Sequence, residues 1–183
     1  MRTFKCRIVG ATDLVMRRFT ECSPDNGGSS QRLTPEEEAE QVVFRNPDCD
    51  DQLFVPGIWL QNSLRSSGKK YGRDYRSAVP AAAQIVEDEI FLFDPETERP
   101  VKTYNIDARS VVIPNTGERV MRYRPRLDSW AAEFHLNINE RILPAEQIKN
   151  LMIESGEEIG LGEMRPQFGG PFGLFAVTKW REA

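Results

Sequence analysis

The residues with chemical potential in this chain are arginines, glycines and aromatics, and they come in three groups. Five glycines (Gly160, Gly162, Gly169, Gly170, Gly173) fall within fourteen residues, together with Arg165, Phe168 and Phe172. Glycine admits positive φ and lets another backbone or a phosphate come close, so this density marks a contact surface. A guanidinium and two rings suit a nucleic-acid backbone and its bases better than an apolar ligand. The competing reading is a long connector with both phenylalanines tucked beneath it, and spacing alone leaves the two level. The stretch lacks the Gly-Lys-Ser/Thr ending of a triphosphate-binding loop and precedes a strand, which argues against a nucleotide-cofactor site.

The second group is Arg65, Lys69, Lys70, Arg73 and Arg76, with one acid, Asp74, among them. Tyr71 and Tyr75 lie between these bases, and Ser66, Ser67, Gly68 and Gly72 predict a flexible segment. Such a loop tracks phosphates and stacks bases, or is simply solvated. The third group is Arg119, Arg122, Arg124 and Arg126, four arginines in eight residues without an acid. An extended chain places Arg122, Arg124 and Arg126 on one face. The bland alternative is charge balance against Glu96, Glu98 or a partner.

Acid–base, nucleophilic and metal chemistry find little support. His135 is the single histidine, mid-strand, with no second catalytic group nearby in sequence, and reads as structural. No Ser/His/Asp or Cys/His set assembles, and no metal-ligand spacing is present. Cys6, Cys22 and Cys49 are an odd number without such spacing. With no apolar signal stretch and no run near the ~20 residues that span a bilayer, reduced thiols in the cytoplasm are expected. No cofactor and no metal are expected.

The elements that must position these groups follow from pattern. The 183 residues, 39% hydrophobic and 28% charged with net charge −4, fit one domain over 1–183 with insertions at about 20–55 and 94–126. The acidic balance argues against indiscriminate binding of nucleic acid, but the acids gather in Glu36 to Glu40, Asp48 to Asp51 and Glu87 to Glu98, away from the bases. Phe4 to Gly10 predicts a first strand, and Glu21 to Arg32 a mobile stretch. Thr34-Pro35-Glu36-Glu37 starts a short helix. Val42 to Phe44 and Leu53 to Val55 predict a hairpin around Asn46-Pro47-Asp48. Pro56 opens a helix with Leu60 and Leu64 at i, i+4, and Ile90 to Phe93 reads as a core strand. Val101 to Ile113 and Arg119 to Tyr123 predict a second hairpin with Asn115-Thr116-Gly117 at its tip. Phe134, Leu136 and Ile138 alternate as a half-buried strand. Ile148, Leu151, Met152, Ser155 and Ile159 then line one helical face, and Leu174 to Trp180 ends the chain as a strand. Without insertions this is an α+β chain of the β-α-β-β-α-β, ferredoxin-like type, with helices near 56–67 and 145–158 on one face of a four-stranded sheet. The other face is left open to a ligand or partner.

The stretch NPDCDDQLFVPGIWLQNSLR, Asn46 to Arg65, resembles a segment of the RAMP superfamily, the RRM-like proteins of CRISPR effector complexes. In their backbone subunits an acidic turn and short strand lead into a Pro-Gly-x-x-Leu-x-x-x-Leu-Arg helix, matched here by Pro56, Gly57, Leu60, Leu64 and Arg65. The C-terminal loop is similar to the glycine-rich loop that the superfamily places between its second helix and last strand, and the arginine hairpin is similar to a thumb-like hairpin. Ile58 and Trp59 depart from the usual small residues, and Asn62 from a frequent glycine, which bears on backbone approach to RNA there. The chain is short for a full backbone subunit, and its style is similar to stand-alone phage or prophage proteins. The resemblance implies an RRM-like fold and a role in antiviral defence. It implies a non-catalytic subunit that holds single-stranded guide RNA, associates with itself along the RNA and meets other effector subunits, with no membrane partner. The implied RNA contacts are Arg65, Lys69, Lys70, Arg73, Arg122, Arg124, Arg126, Arg165, Gly169 and Gly170. Alternatives are a small RAMP-type RNA endonuclease using His135 or a loop aspartate, Asp25 or Asp13, and a phage-encoded module that binds a protein through the open sheet face.

Overall fold

The structure is a computed structural model and describes residues 1–19, 33–112 and 117–183. In chain order its elements begin with β1 (Arg2–Gly10), β2 (Leu14–Val15), α1 (Pro35–Val42), β3 (Arg45–Asn46), β4 (Gln52–Pro56) and α2 (Gly57–Ser67). They continue with α3 (Arg73–Ala82), β5 (Ala83–Ile85), β6 (Glu89–Phe93), β7 (Asn105–Val112), β8 (Arg119–Leu127), β9 (Ala131–Ile138), α4 (Ala145–Glu154) and β10 (Phe175–Glu182).

Period-two alternation builds the main sheet. Phe4, Cys6 and Ile8 of β1 and Phe134, Leu136 and Ile138 of β9 are buried, while the residues between them face away. β1 is the middle strand, antiparallel to β9 from Arg2–Ile138 to Val9–Ala131 and to β10 on its other side. The order β10-β1-β9-β6 is extended by β4 and β3. With α2 and α4 between the strands, this is the expected ferredoxin-like β-α-β-β-α-β arrangement. Leu60 and Leu64 of α2 and Ile148, Leu151 and Met152 of α4 close one core with the buried faces of the strands.

One core strand is broken. β5 pairs with Leu136–Ile138 and β6 with Ala131–Ala132, leaving Val86–Asp88 out of the ladder. The carboxylate of Glu87 fills the gap by accepting the His135 amide at 2.8 and 3.0 Å, and its Oε1 lies 2.7 Å from Nδ1 of the same histidine. The start of α2 passes directly over this break: the Gly57 amide donates to the Asp88 carbonyl, 2.8 Å away. A Cβ on Gly57 would stand 2.0 Å from the Glu87 carbonyl oxygen. Glycine at this point of the Pro56–Arg65 helix is therefore a demand of internal packing.

A second sheet, β2-β8-β7, carries the arginine hairpin, and α1 packs against β8. The Thr34 capping box forms as expected: its hydroxyl accepts the Glu37 amide and the Glu37 carboxylate accepts the Thr34 amide.

Three expectations need correction. Residues 65–76 are not a flexible loop: α2 runs to Ser67, a 3-10 turn covers Gly68–Tyr71, and α3 follows. The Ser67 hydroxyl folds back on the Leu64 carbonyl at 2.7 Å, and Val79 and Ala82 anchor α3 in the core, so Ser67 and Gly68 mark close packing while Gly72 is exposed. The strand expected at Val42 to Phe44 is displaced to Arg45–Asn46, because Ala39 and Val42, three residues apart, continue the buried face of α1. The second hairpin arm extends beyond Tyr123 to Leu127, where Leu14 pairs with it. The expectations for Glu21 to Arg32, and for Asn115 and Thr116 at the hairpin tip, lie outside the described residues.

Gly57→Ala should destabilise the fold by about 1–3 kcal/mol, as other intrusions into packed interiors do. Thermal denaturation should show a fall of several degrees; an unchanged Tm would mean that α2 does not rest on the break as described.

Candidate nucleic-acid interface

The glycine-rich loop is folded against the protein, and its amides are engaged there. Leu161 donates to Gly173, Phe172 to Met164, Gly169 to Pro166 and Gly170 to Arg165. Two more bonds leave the loop: Gly173 donates to the Asp13 carbonyl at 2.7 Å and Glu163 to the Val15 carbonyl at 2.9 Å. The Ser63 hydroxyl of α2 donates to the Gly160 carbonyl at 3.1 Å. With these amides used internally, an anion at the loop meets side chains, chiefly Arg165. A Cβ on Gly170 would sit 1.8 Å from the Met164 carbonyl oxygen, so this glycine answers the loop's own fold. Gly169, at φ +81°, faces open space: a Cβ there would meet nothing within 4 Å.

Arg165 is held rather than free. Its Nη1 donates to the Gly162 carbonyl at 3.1 Å, and Nε and Nη2 donate to Oε1 of Gln167 at 3.1 and 3.0 Å. The guanidinium lies 4.6 Å from the centre of the Phe168 ring, which is 70% exposed. Partial burial lowers the Arg165 pKa from its ordinary value, yet arginine keeps its charge. Gln167 in turn donates to the Ser66 hydroxyl at 3.2 Å, tying the loop to α2. Phe172 has the opposite fate: it is buried, with the Arg109 guanidinium 4.8 Å from its ring centre. The connector reading thus describes Phe172, whereas Phe168 is open to solvent.

Beside Arg165 runs a cleft of about 360 Å³, walled by Trp59, Glu163, Met164, Phe168 and Arg17. Arg17 also lines the adjoining depression with Glu38, Arg122, Tyr123 and Arg124. The loop and the arginine hairpin, far apart in sequence, therefore approach one another at Arg17 and at the Arg124–Glu163 pair, 3.9 Å apart. Sequence reasoning passed over Arg17 and Trp59 as site residues. The Arg17-Arg18 pair was visible, but only the turn of the chain after β2 brings it beside Gly162.

The hairpin arginines do share a face of β8, and that face turns toward the protein. Arg122 is 4.0 Å from Glu38 and Arg124 is 3.9 Å from Glu163; Arg126 is 3.0 Å from Asp128 and 3.4 Å from Asp13. Arg124, 6% exposed, lies opposite the buried Asp107, which also takes Arg109 at 2.9 Å. Neither Glu96 nor Glu98 is the balancing acid; Glu98 is taken by Arg7. In the second group, Arg65, Lys69 and Arg73 are exposed and make no ion pair among the described residues. Lys70 differs: its Nζ is 3.0 Å from both Glu154 and Glu158, hydrogen bonds that raise its pKa. A phosphate would have to displace those carboxylates.

His135 has the partner that its sequence neighbourhood lacks, Glu87 at 2.7 Å from Nδ1. Asp13 is engaged with Arg126 and, through its carbonyl, with Gly173; Asp25 lies outside the described residues. Among the described residues no group of His, Cys, Asp and Glu could hold a metal ion. Cys6 is buried, which pushes its thiol up to about 12, and Cys49 is exposed and free. No helix of the described residues is long and apolar enough to cross a membrane.

No protein-family model and no curated protein sequence matches this chain. Among solved structures, a chain of the cryo-EM structure of the type III-B Cmr-beta complex bound to cognate target RNA superposes with a TM-score of 0.62 at 12% identity. The alignment covers 99% of this chain and 60% of that one, so the present chain spans well under two thirds of that neighbour. A chain of a type IV-B CRISPR complex superposes with a TM-score of 0.51 at 12% identity, over 96% of this chain and 90% of that one. The chain thus shares the fold of proteins in CRISPR complexes, in agreement with the RAMP-like resemblance of its helix and loop.

Because Gly170 faces Met164 and Gly169 faces open space, Gly170→Ala should lower the Tm by several degrees. Gly169→Asn, a residue that tolerates positive φ, should leave it nearly unchanged. Equal effects at the two positions would contradict the inward folding of the loop.

Proposed function

We propose that this chain is a non-catalytic single-stranded RNA-binding subunit of a CRISPR-like ribonucleoprotein, holding guide RNA through the channel between its glycine-rich loop and its arginine hairpin. The observation that carries this reading is the cleft in which Arg165, Phe168, Trp59 and Arg17 meet, with Arg17 also bordering the small depression beside Arg122 and Arg124. Arg165 and Arg17 supply charge for phosphates, and the exposed Phe168 ring supplies a stacking platform for a base. Phosphate contacts and stacking carry no base-edge readout, so binding is expected to be sequence-tolerant. RNA is favoured over DNA by the fold shared with a chain from a complex bound to target RNA. Copies of the chain associating along the RNA, and contacts with other effector subunits, belong to the same reading. Arg124 and Arg126 act in it by holding the hairpin in place, with Arg122 at the channel wall.

Fluorescence anisotropy with a labelled single-stranded RNA tests it. Arg165→Ala and Arg17→Ala should each weaken binding and reduce the slope of log affinity against log salt by about 0.7, one phosphate contact each. Phe168→Ala should weaken binding with little change of slope, because stacking releases no counterion. Wild-type protein that binds no single strand at low salt would sink the proposal, and a protein-interaction role through the open sheet face would replace it.

The second reading, a small RNA endonuclease, rests on the Glu87–His135 contact, which orients Nδ1 as a general base requires. Labelled RNA incubated with the protein and divalent metal should stay intact. Cleavage that is lost in His135→Ala, with the Tm retained, would reverse the assignment.

A further inference from the structure

The largest concavity described lies away from the channel, between α3 and α4. It has a volume of about 460 Å³ and is lined by Tyr71, Tyr75, Gln147, Asn150, Ile153 and Glu154, over Leu151. We propose that this pocket accepts one unstacked nucleobase, and that RNA leaving the channel runs along the exposed ridge of α2 to reach it. The inference rests on the RNA-binding reading and adds to it a second subsite and a minimum RNA length.

The chemistry of the lining carries the first half. Tyr71 and Tyr75 stand with ring centres 5.5 Å apart and planes at 40°, and Tyr71 is 49% exposed, so it offers a π-face to a flat ligand. The Tyr75 hydroxyl, 3.4 Å from Oε1 of Gln147, leaves the Gln147 amide nitrogen to a ligand. Asn150 is exposed and makes no side-chain hydrogen bond among the described residues, so its amide presents both a donor and an acceptor. Rings flanked by primary amides match a heteroaromatic base, whose edge carries both donors and acceptors. The lining has one carboxylate, Glu154, and it is engaged in place: the Tyr71 hydroxyl donates to one oxygen and Lys70 lies 3.0 Å from the other. Lys70 is shared with Glu158, so the pairing offsets part of the local negative charge, and it gives Lys70 a role other than direct phosphate contact.

Position carries the second half. Trp59 walls the channel and Tyr71 walls the pocket, at the two ends of α2 and its following 3-10 turn. Twelve residues of helix separate them by about 18 Å. Arg65 and Lys69, both exposed and one helical turn apart, lie between these ends. The Ser66 hydroxyl, beside Arg65, accepts a hydrogen bond from Gln167 of the glycine-rich loop, so the loop borders the ridge at that point. Arg73 follows the pocket's first tyrosine and is exposed as well. The basic segment thus bridges two places where a base can stack.

The test is an oligonucleotide ladder, homopolymeric RNAs from about 3 to 12 nucleotides, within the span of known single-strand sites. With wild type, affinity should step up by about tenfold once the strand is long enough to enter both subsites. Tyr71→Ala with Tyr75→Ala should abolish the step and leave the affinity of the shortest binding RNA unchanged. Tyr71→Phe should keep most of the step, since stacking survives the loss of the hydroxyl. A long RNA with an abasic site at the pocket end should lose affinity as the double variant does. Retained Tm of the double variant checks folding, and 4-thiouridine placed at the pocket end should crosslink to the α3–α4 groove. Failure of the two proposals is distinguishable. If Arg165→Ala and Arg17→Ala weaken binding while the tyrosine variants follow wild type at every length, the pocket assignment is overturned and the channel stands; a protein partner is then its occupant. If wild type binds none of the RNAs, both fall.

Discussion

Two backbone hydrogen bonds, from Gly173 to Asp13 and from Glu163 to Val15, are what the rest of the molecule depends on. They fasten the glycine-rich loop to β2, a strand of only two residues. β2 in turn pairs with the end of β8 through Leu14–Leu127 and Val15–Arg126. The main sheet, the loop and the arginine hairpin are thereby joined at one short stretch of backbone. Donors and acceptors buried at such a joint must be paired, and Gly160, Gly162, Gly170 and Gly173 admit the close approach of other backbone within the protein. The same joint fixes Arg17, just past β2, at the meeting point of loop and hairpin.

The charge arrangement follows from that geometry. In a chain with net charge −4, acids stand beside the hairpin's arginines, and two of them, Glu38 and Glu163, also line the depression and the cleft. Glu38, Asp13, Asp128 and Asp107 hold the hairpin's guanidinium groups, and Glu154 and Glu158 hold Lys70. Removing an acid beside a buried guanidinium leaves that cation uncompensated, which is costlier than losing an exposed pair such as Lys70–Glu158. Arg124 is the clearest instance, being almost wholly buried between β7 and the loop. Its contribution is to orientation of the hairpin, whereas Arg165 and Arg17 border the cleft itself.

Long-range pairing also changes the meaning of single residues. His135 lacks an acid–base partner in its own stretch of sequence, yet Glu87 reaches it because the broken strand beside β9 leaves a gap that a carboxylate can fill. Trp59 departs from the small residues usual at its place in the resembling helix, and it fills space against Phe44, 5.2 Å away, while forming a wall of the cleft.

By itself the sequence determined the frame: alternation in β1 and β9, the 3–4 spacing in α4, the Thr34 cap and the order of elements were all legible, because each is set by neighbours a few residues away. The resemblance of Pro56 to Arg65 and of the C-terminal loop pointed to the fold that the CRISPR-complex chains share. Only the tertiary structure decided which basic residues face solvent, that Ser67 and Gly68 are packed within helical turns, that Gly170 serves the loop and Gly169 faces outward, and that Arg17 stands between the loop and the hairpin. Those outcomes depend on where a carbonyl, a carboxylate or a ring from a distant segment comes to lie, and no local spacing encodes the position of an atom a hundred residues away.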